Sequence, residues 1–294
     1  MVERLETARW LDRAGDPVQH AVQAVAGGRV RDVLHGVWLG HPLHPMAVML
    51  PLGAWIGAAV IDTAGAAQDR AGARRDARGY ERAATVLVGV GAAGALPAAT
   101  AGLNDWATLS REQRRVGLVH AGANTVALGL YVGSFVARLA GRRRLGRRLG
   151  LAALSLAGLG GYLGGHMTYR QAAGVNQAAP LLRRIPDGWH DVCDLDALVP
   201  GRPTVAKLGE VPILVTRAGD GGEVSAMIER CGHQTGPLGE GKVTEMDGAD
   251  CVVCPWHGSV FRLSDGSVMA GPAATNQPVL RTRITAGRVQ AALP

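Results

Sequence analysis

Hydrophobic and polar positions divide the chain into two unlike halves. Four stretches of 21 or 22 residues hold almost no Asp, Glu, Lys or Arg: Met46–Ala67, Ala83–Asn104, Val116–Ala137 and Leu149–Tyr169. Asp62 is the one charge in the first of them. At 1.5 Å per residue, each predicts a helix of roughly 30 Å, the depth of a bilayer core. Helices buried in a soluble bundle would keep a polar face. These have none, so residues 46–169 read as a four-helix transmembrane domain. Gly160/Gly164 and Gly161/Gly165 set small residues four apart, which lets helices approach closely. Residues 1–45 read as amphipathic helices. Asp16-Pro17 predicts a cap and first turn, with Val18, Ala21, Val22 and Val25 on one stripe. That stripe suits the membrane surface or the side of the bundle. Residues 170–184 read as a linker, and residues 185–294 as a soluble all-β domain.

Composition sharpens this picture. The chain has 294 residues, 47% apolar and 19% charged, which excludes disorder. Lys207 and Lys242 are the only lysines among 31 basic residues, so the net charge of +7 is carried by arginine. Those arginines lie between apolar stretches, where membrane topology explains them, and no nucleic-acid partner is expected. Four spans put both chain ends on one side. The loops opposite hold eleven arginines (among them Arg70, Arg78, Arg138 and Arg147), against eight near the spans on the tail side. The positive-inside rule then makes the protein a multi-pass cell-membrane protein with its β domain extracytoplasmic. "GRRRLGRRLGLAALSLAG" is similar to a twin-arginine export signal and reads equally as a basic cytoplasmic loop. "MVERLETARWLDRAGD" carries acids and lacks an apolar core, so no cleavable signal is expected.

The chemistry is concentrated in two short segments, "CGHQTGPLGEG" at 231–241 and "CVVCPWHGSVFRLSDG" at 251–266. They read Cys-x-His, twenty residues, Cys-x-x-His. Two thiolates and two imidazoles suit zinc or a [2Fe–2S] cluster. Zinc fingers usually pair Cys with Cys and His with His along the chain. Here each segment gives one of each, as a centre with both thiolates on one iron and both imidazoles on the other requires. Zinc is the alternative. Cys193 and Cys251 read as small buried apolar residues.

Residues 185–294 resemble the Rieske family, in "CPWHGSVF", in the Asp-Gly turn after it, and in "GPAATNQPV" (Gly271–Val279), which is similar to the family's proline loop with Gly271 and Pro272. The resemblance implies Cys231, His233, Cys254 and His257 as cluster ligands, with Ser259, Trp256, Phe261, Gly271 and Pro272 around them. Rieske proteins of cytochrome bc complexes add a disulfided cysteine in each loop. Gly236 and Trp256 stand at those places, so no such bridge is expected. Ser259 keeps a hydroxyl donor while Phe261 replaces a tyrosine, which implies a potential below the top of the range of about −150 to +300 mV. An oxygenase reading would need a large mononuclear-iron domain and is set aside.

The membrane half has its own candidates. His41 and His44 precede the first span, His120 opens the third and His166 closes the fourth, all on the tail side by the span count. Asn124 is one turn beyond His120, whereas Asp62 lies toward the far end. Such histidines can ligate haem b or a metal ion, or line a quinone pocket. They can equally cap helices and bond carbonyls. "GHPLHP", "LPLGAW", "GLNDW", "HAGANTVALGLYVGSFVAR" and "GGHMTYRQAAGV" resemble a bacterial membrane family of uncharacterised function, over about Leu34–Gln177. The combined expectation is a membrane-anchored carrier of single electrons between a membrane donor (quinol or haem) and a redox partner. The alternative is a non-catalytic iron–sulfur subunit of a larger membrane complex. Stand-alone catalysis is not assigned.

Overall fold

The computed structural model describes residues 2–25, 27–219, 222–273 and 275–294. Ala274, inside the expected proline loop, lies outside the described residues. The chain forms two compact units, Met1–Gly27 with Leu43–Ala173, and Gly28–Pro42 with Gly174–Pro294.

The first unit is helical, with α1 (Glu3–Glu6), α2 (Asp12–Val25), α4 (Leu43–Ala47), α5 (Met49–Arg70), α6 (Arg74–Trp106), α7 (Arg111–Leu139) and α8 (Arg143–Tyr169); α3 (Gly28–His35) belongs to the second unit. Its core is small: Ala58, Ala84, Ala101, Ala127 and Ala153 are buried around Trp55 and Tyr131. Larger apolar residues point outward, including Ile56, Val60, Val86, Leu96, Val126 and Leu151. This inverts the arrangement of a water-soluble bundle and suits a lipid surround, where small residues bring helices together. Pro51 and Pro97 lie inside α5 and α6, which helices in lipid tolerate.

Three of the four expected spans meet the length and apolarity of a membrane crossing. Among the described residues, three stretches are long and apolar enough to cross a membrane: Leu43–Arg70, Arg75–Trp106 and Arg111–Leu139. α8 is 27 residues long, but it begins inside the arginine run and carries seven glycines, which dilute its apolar character.

Charged residues gather at two places in this unit. Asp12 holds Arg115 through two bonds of 2.8 and 2.6 Å, and Asp16 meets Arg114 at 3.2 Å. Gln19 and Gln23 donate to the Ala107 carbonyl, so α2 packs on the helix ends. At the other place Asp62 accepts from Arg138 in a bidentate pair, with Arg147 beside it and Glu81 meeting Arg143.

The second unit has two antiparallel sheets. The larger runs β1 (His190–Asp194), β10 (Arg288–Ala292), β9 (Val279–Thr285), β4 (Val224–Ile228), β3 (Val211–Arg217) and β2 (Thr204–Leu208). The smaller runs β5 (Lys242–Met246), β6 (Ala249–Val253), β7 (Val260–Arg262) and β8 (Val268–Ala270). Val211, Ile213 and Val215 alternate inward from β3 into one core; Leu214 and Met227 face the other, with Val252 and Phe261. The domain boundaries differ from expectation at two places. Residues 28–42 pack with the β domain, not with the helices. Residues 174–184 are also part of it, because Ala178, Leu181 and Leu182 join its core.

Candidate metal centre

Two loops bring the four ligand candidates together. The first leaves β4 with Cys231 and His233; the second joins β6 to β7 with Cys254 and His257. Each loop folds back on its own cysteine. Cys231 donates its N–H to the Gly236 carbonyl (2.9 Å), and Cys254 donates to the Ser259 carbonyl (2.8 Å). The turn directs backbone N–H groups at each sulfur, from His233 and Gln234 to Cys231 and from Trp256 and His257 to Cys254. The sulfurs are within hydrogen-bond reach of each other. The Cys231 thiol donates to Cys254, which pushes Cys231 up and draws Cys254 below the ordinary thiol range. The His233 and His257 rings are perpendicular with centroids 5.0 Å apart. Burial first, then the neighbouring His257 and His35, hold His233 down to about 3, so its ring is a neutral nitrogen donor at physiological pH. Burial also lowers His257.

A 33% match over 102 residues to the anthranilate 1,2-dioxygenase ferredoxin subunit of Burkholderia cepacia covers 35% of this chain and 89% of that protein. The chain belongs to the Rieske family. The Rieske [2Fe-2S] domain model matches residues 188–283, and a predicted membrane protein model, DUF2231, matches residues 40–177. A human Rieske domain-containing protein is 47% identical over 45 residues, 15% of this chain and 29% of its own length. Among solved structures, the complex of reduced oxygenase and oxidized ferredoxin in carbazole 1,9a-dioxygenase matches at 28% identity and TM-score 0.31, over 35% of this chain and 92% of that one. The E. coli protein NirD matches at 27% and 0.33, over 35% and 94%.

The residues present fit a Rieske [2Fe–2S] cluster. Two imidazoles sharing one tetrahedral ion at M–N of about 2.0–2.1 Å put their ring centres roughly 5 Å apart. Each sulfur has its own N–H donors, which favour the thiolate a metal requires. A Cβ at Gly236 would stand 2.8 Å from Cys254 Sγ, so the first loop approaches that sulfur only as glycine. At Gly271, with φ +88°, a Cβ would meet Gly258 O and Ser259 N at 2.6 and 2.9 Å, so glycine lets the proline loop close over the second cluster loop. Ser259 is fully buried and its Oγ accepts the Ala273 N–H (3.1 Å), leaving its own O–H as a donor within the site. Pro272 is buried beside it, and Phe261 is fully buried in the adjoining core. Trp256 is 55% exposed and flanks His257 at 6.4 Å. All four cysteines are free thiols. Burial pushes Cys193 and Cys251 up, which keeps them protonated and unreactive.

Two side chains escaped the motif reading. Gln277 is 2% exposed and ties the first loop to β4: Nε2 donates to the Ile228 and Arg230 carbonyls (2.7 and 2.8 Å), and Oε1 accepts the Gly232 N–H (2.9 Å). Asn176 Nδ2 donates to Thr275 Oγ1 (2.6 Å) and the Asn276 carbonyl, from a segment expected to be linker. Neither carries a spacing signal, because each acts through a contact 45 or more residues away in sequence. Gln277→Ala leaves three buried backbone groups unpaired. It is expected to cost about 3 kcal/mol, read as bleaching of the cluster absorbance at a temperature lower by roughly 10 °C or more.

Three of the four membrane-half histidines, His44, His120 and His166, lie in the helical unit. His44 and His120 face each other with centroids 6.4 Å apart and planes at 83°. His44 Nδ1 donates to the Ala98 carbonyl (2.8 Å) and His120 Nδ1 to the Gly160 carbonyl (2.7 Å). Gly102 and Gly164 make room, since a Cβ would stand 2.7 Å from the His44 ring and 3.2 Å from the His120 ring. His166 instead meets the Glu6 carboxylate through Nε2 at 2.8 Å. His41 is exposed, belongs to the other unit and bonds the Pro42 carbonyl. Distance along the helices set these histidines at a similar depth; only helix rotation decided which two meet.

Proposed function

We propose that the protein is a multi-pass membrane Rieske protein that carries single electrons between a membrane donor and a redox partner. The observation that carries the reading is the Cys231/Cys254 and His233/His257 set, with N–H donors at each sulfur, in a chain that also has a membrane domain. A bound [2Fe–2S] cluster supplies one-electron exchange. The protein's own part is to hold it rigidly and to present one imidazole edge outward. His257 is that edge, being half-buried with exposed Trp256 beside it. His233 is 6% exposed and faces inward.

α8 is the fourth span in this reading. Four crossings return the two chain ends to one side, which the arginine distribution makes extracytoplasmic. The donor is quinol or haem. The His44–His120 pair supports a donor site: both Nδ1–H groups are spent on carbonyls, so each Nε2 is an acceptor as in metal-binding histidines, that of His120 with Asn124 Nδ2 at 3.3 Å. Their 6.4 Å separation is near the roughly 6 Å of imidazoles on opposite sides of one ion. The acceptor is a protein of the kind a ferredoxin subunit serves, in keeping with the oxygenase ferredoxin relative. The second reading, a non-catalytic subunit of a larger membrane redox complex, is favoured by the outward apolar faces of the helical unit, which a partner's helices can cover as well as lipid.

Absorbance and paramagnetic resonance of the purified full-length protein test the proposal. A rhombic signal after dithionite is expected, and its absence ends the reading. A Soret band assigns the donor to haem in this chain; its absence assigns it to quinol or a partner. A redox titration adds a pH prediction. Imidazole ligands lose protons more readily when the cluster is oxidised, so oxidation releases protons at high pH. The midpoint potential is expected to fall there by up to about 59 mV per pH unit and per proton. A flat line from about pH 6 to 10 excludes imidazole ligation.

A further inference from the structure

The proline loop is held from outside the Rieske domain as matched to its family. The arm Gly28–Pro42 precedes the membrane helices in sequence, yet packs wholly with the β unit. Within it, α3 ends at His35, and a single helical turn, Val37–Leu39, packs on β8 at the root of the proline loop. Asp32 Oδ1 accepts the N–H of Gly271 at 2.8 Å, a contact spanning 239 residues. His35, the last residue of α3, is 3% exposed, so the arm is seated on the β unit by a buried side chain. Gly36 (φ +80°) turns the chain directly after it.

A second segment does the same from the other flank. Asn176 holds Thr275 and Asn276 in the proline loop, and the Gln177 N–H donates to the Gly232 carbonyl in the first cluster loop (2.9 Å). Gly271 is the residue whose missing Cβ lets the proline loop touch Gly258 and Ser259. Its N–H therefore sits at the closest approach between the proline loop and a cluster loop, and a carboxylate from the arm fixes it.

We propose that the arm is a working part of the cluster site: Asp32 is a positioning residue that latches the proline loop through Gly271. The residues matched to the Rieske family are thus completed by chain lying before and after the membrane helices. Two physical consequences follow. A latched site releases iron slowly. The Asp32 carboxylate disfavours added negative charge, so the arm lowers the potential.

This rests on the cluster reading above, and the two fail separately. If the parent protein shows no signal after dithionite, the cluster reading falls. If the parent shows it and the variants match the parent, the latch alone falls. The experiment uses the full-length, cluster-loaded protein with Asp32→Ala and Asp32→Asn. Val30→Ala, on the exposed side of α3, is the control. Cluster loss to an iron chelator, the g-values and the midpoint potential are measured for each. Asp32→Ala is expected to bleach at least fivefold faster, with shifted g-values and a raised potential. Asp32→Asn keeps an oxygen acceptor for the Gly271 N–H, so it bleaches at the parent rate while its potential still rises. Rates within twofold of the parent, with unchanged g-values and potential, overturn the proposal. So does a Val30→Ala variant that bleaches as fast as Asp32→Ala, because the arm would then act only as packing. If Asp32→Ala does not accumulate, Asp32→Asn decides by potential: a rise supports the latch, and a parent value overturns it.

Discussion

Replacing His257 by cysteine is expected to lower the midpoint potential by hundreds of millivolts, and replacing Cys254 by serine to abolish the cluster. An imidazole is a neutral ligand, and its exchange for a thiolate adds a negative charge directly on iron. Potentials of Rieske centres span about −150 to +300 mV, whereas plant-type all-cysteine clusters lie near −400 mV. The substitution falls on the more exposed of the two imidazoles, so the fold has room to accept it. Cys254 offers no such tolerance. Its sulfur is buried, takes N–H groups from Trp256 and His257 and faces Cys231. A serine hydroxyl there is a poor iron ligand and stays protonated. A reductive titration followed by paramagnetic resonance measures both effects. An unchanged signal in His257→Cys would show that this ring binds no iron.

The second large effect is expected in the membrane half. Asp62→Ala leaves the Arg138 guanidinium, whose side chain is 1% exposed, without its bidentate carboxylate. Ser134 remains as a partner at 3.2 Å, but a hydroxyl does not balance a buried charge. Breaking a buried pair from one side costs about 3–5 kcal/mol, because the surviving ion keeps its desolvation penalty. The expected result is a sharp loss of monodisperse protein in detergent and a lower unfolding temperature, measured by size-exclusion and a thermal melt. Asp62→Leu combined with Arg138→Leu is expected to recover most of it, since the penalty vanishes with both charges. A double variant as unstable as the single one would assign the cost to lost packing instead.

These predictions draw unequally on sequence and on structure. The cluster was legible because metal chemistry constrains residue type and short spacing together. Cys231-x-His233 and Cys254-x-x-His257 each fit within a single turn, and a turn is a local object. The membrane half was legible for a similar reason, since a bilayer imposes length and apolarity on every span. The apolar signal is weakest at α8, where glycine and arginine dilute it. Within the helical unit His44 and His120 meet, while His166 pairs with Glu6. Depth follows from the rise per residue, whereas a meeting depends on how each helix is rotated about its axis, which no single helix determines.

By itself the sequence determined the two kinds of domain, the four candidate ligands and the lack of the extra loop cysteines of bc-type relatives. Tertiary structure alone decided that Asp62 lies against Arg138, that Gln277 ties down the first loop, and that Asp32 reaches Gly271 from the far end of the chain. The physical reason is the same in each case. A ligand pair or an apolar span is specified by neighbours in sequence. A hydrogen bond across 45, 76 or 239 residues exists only once the intervening chain has folded, and leaves no period or spacing behind it.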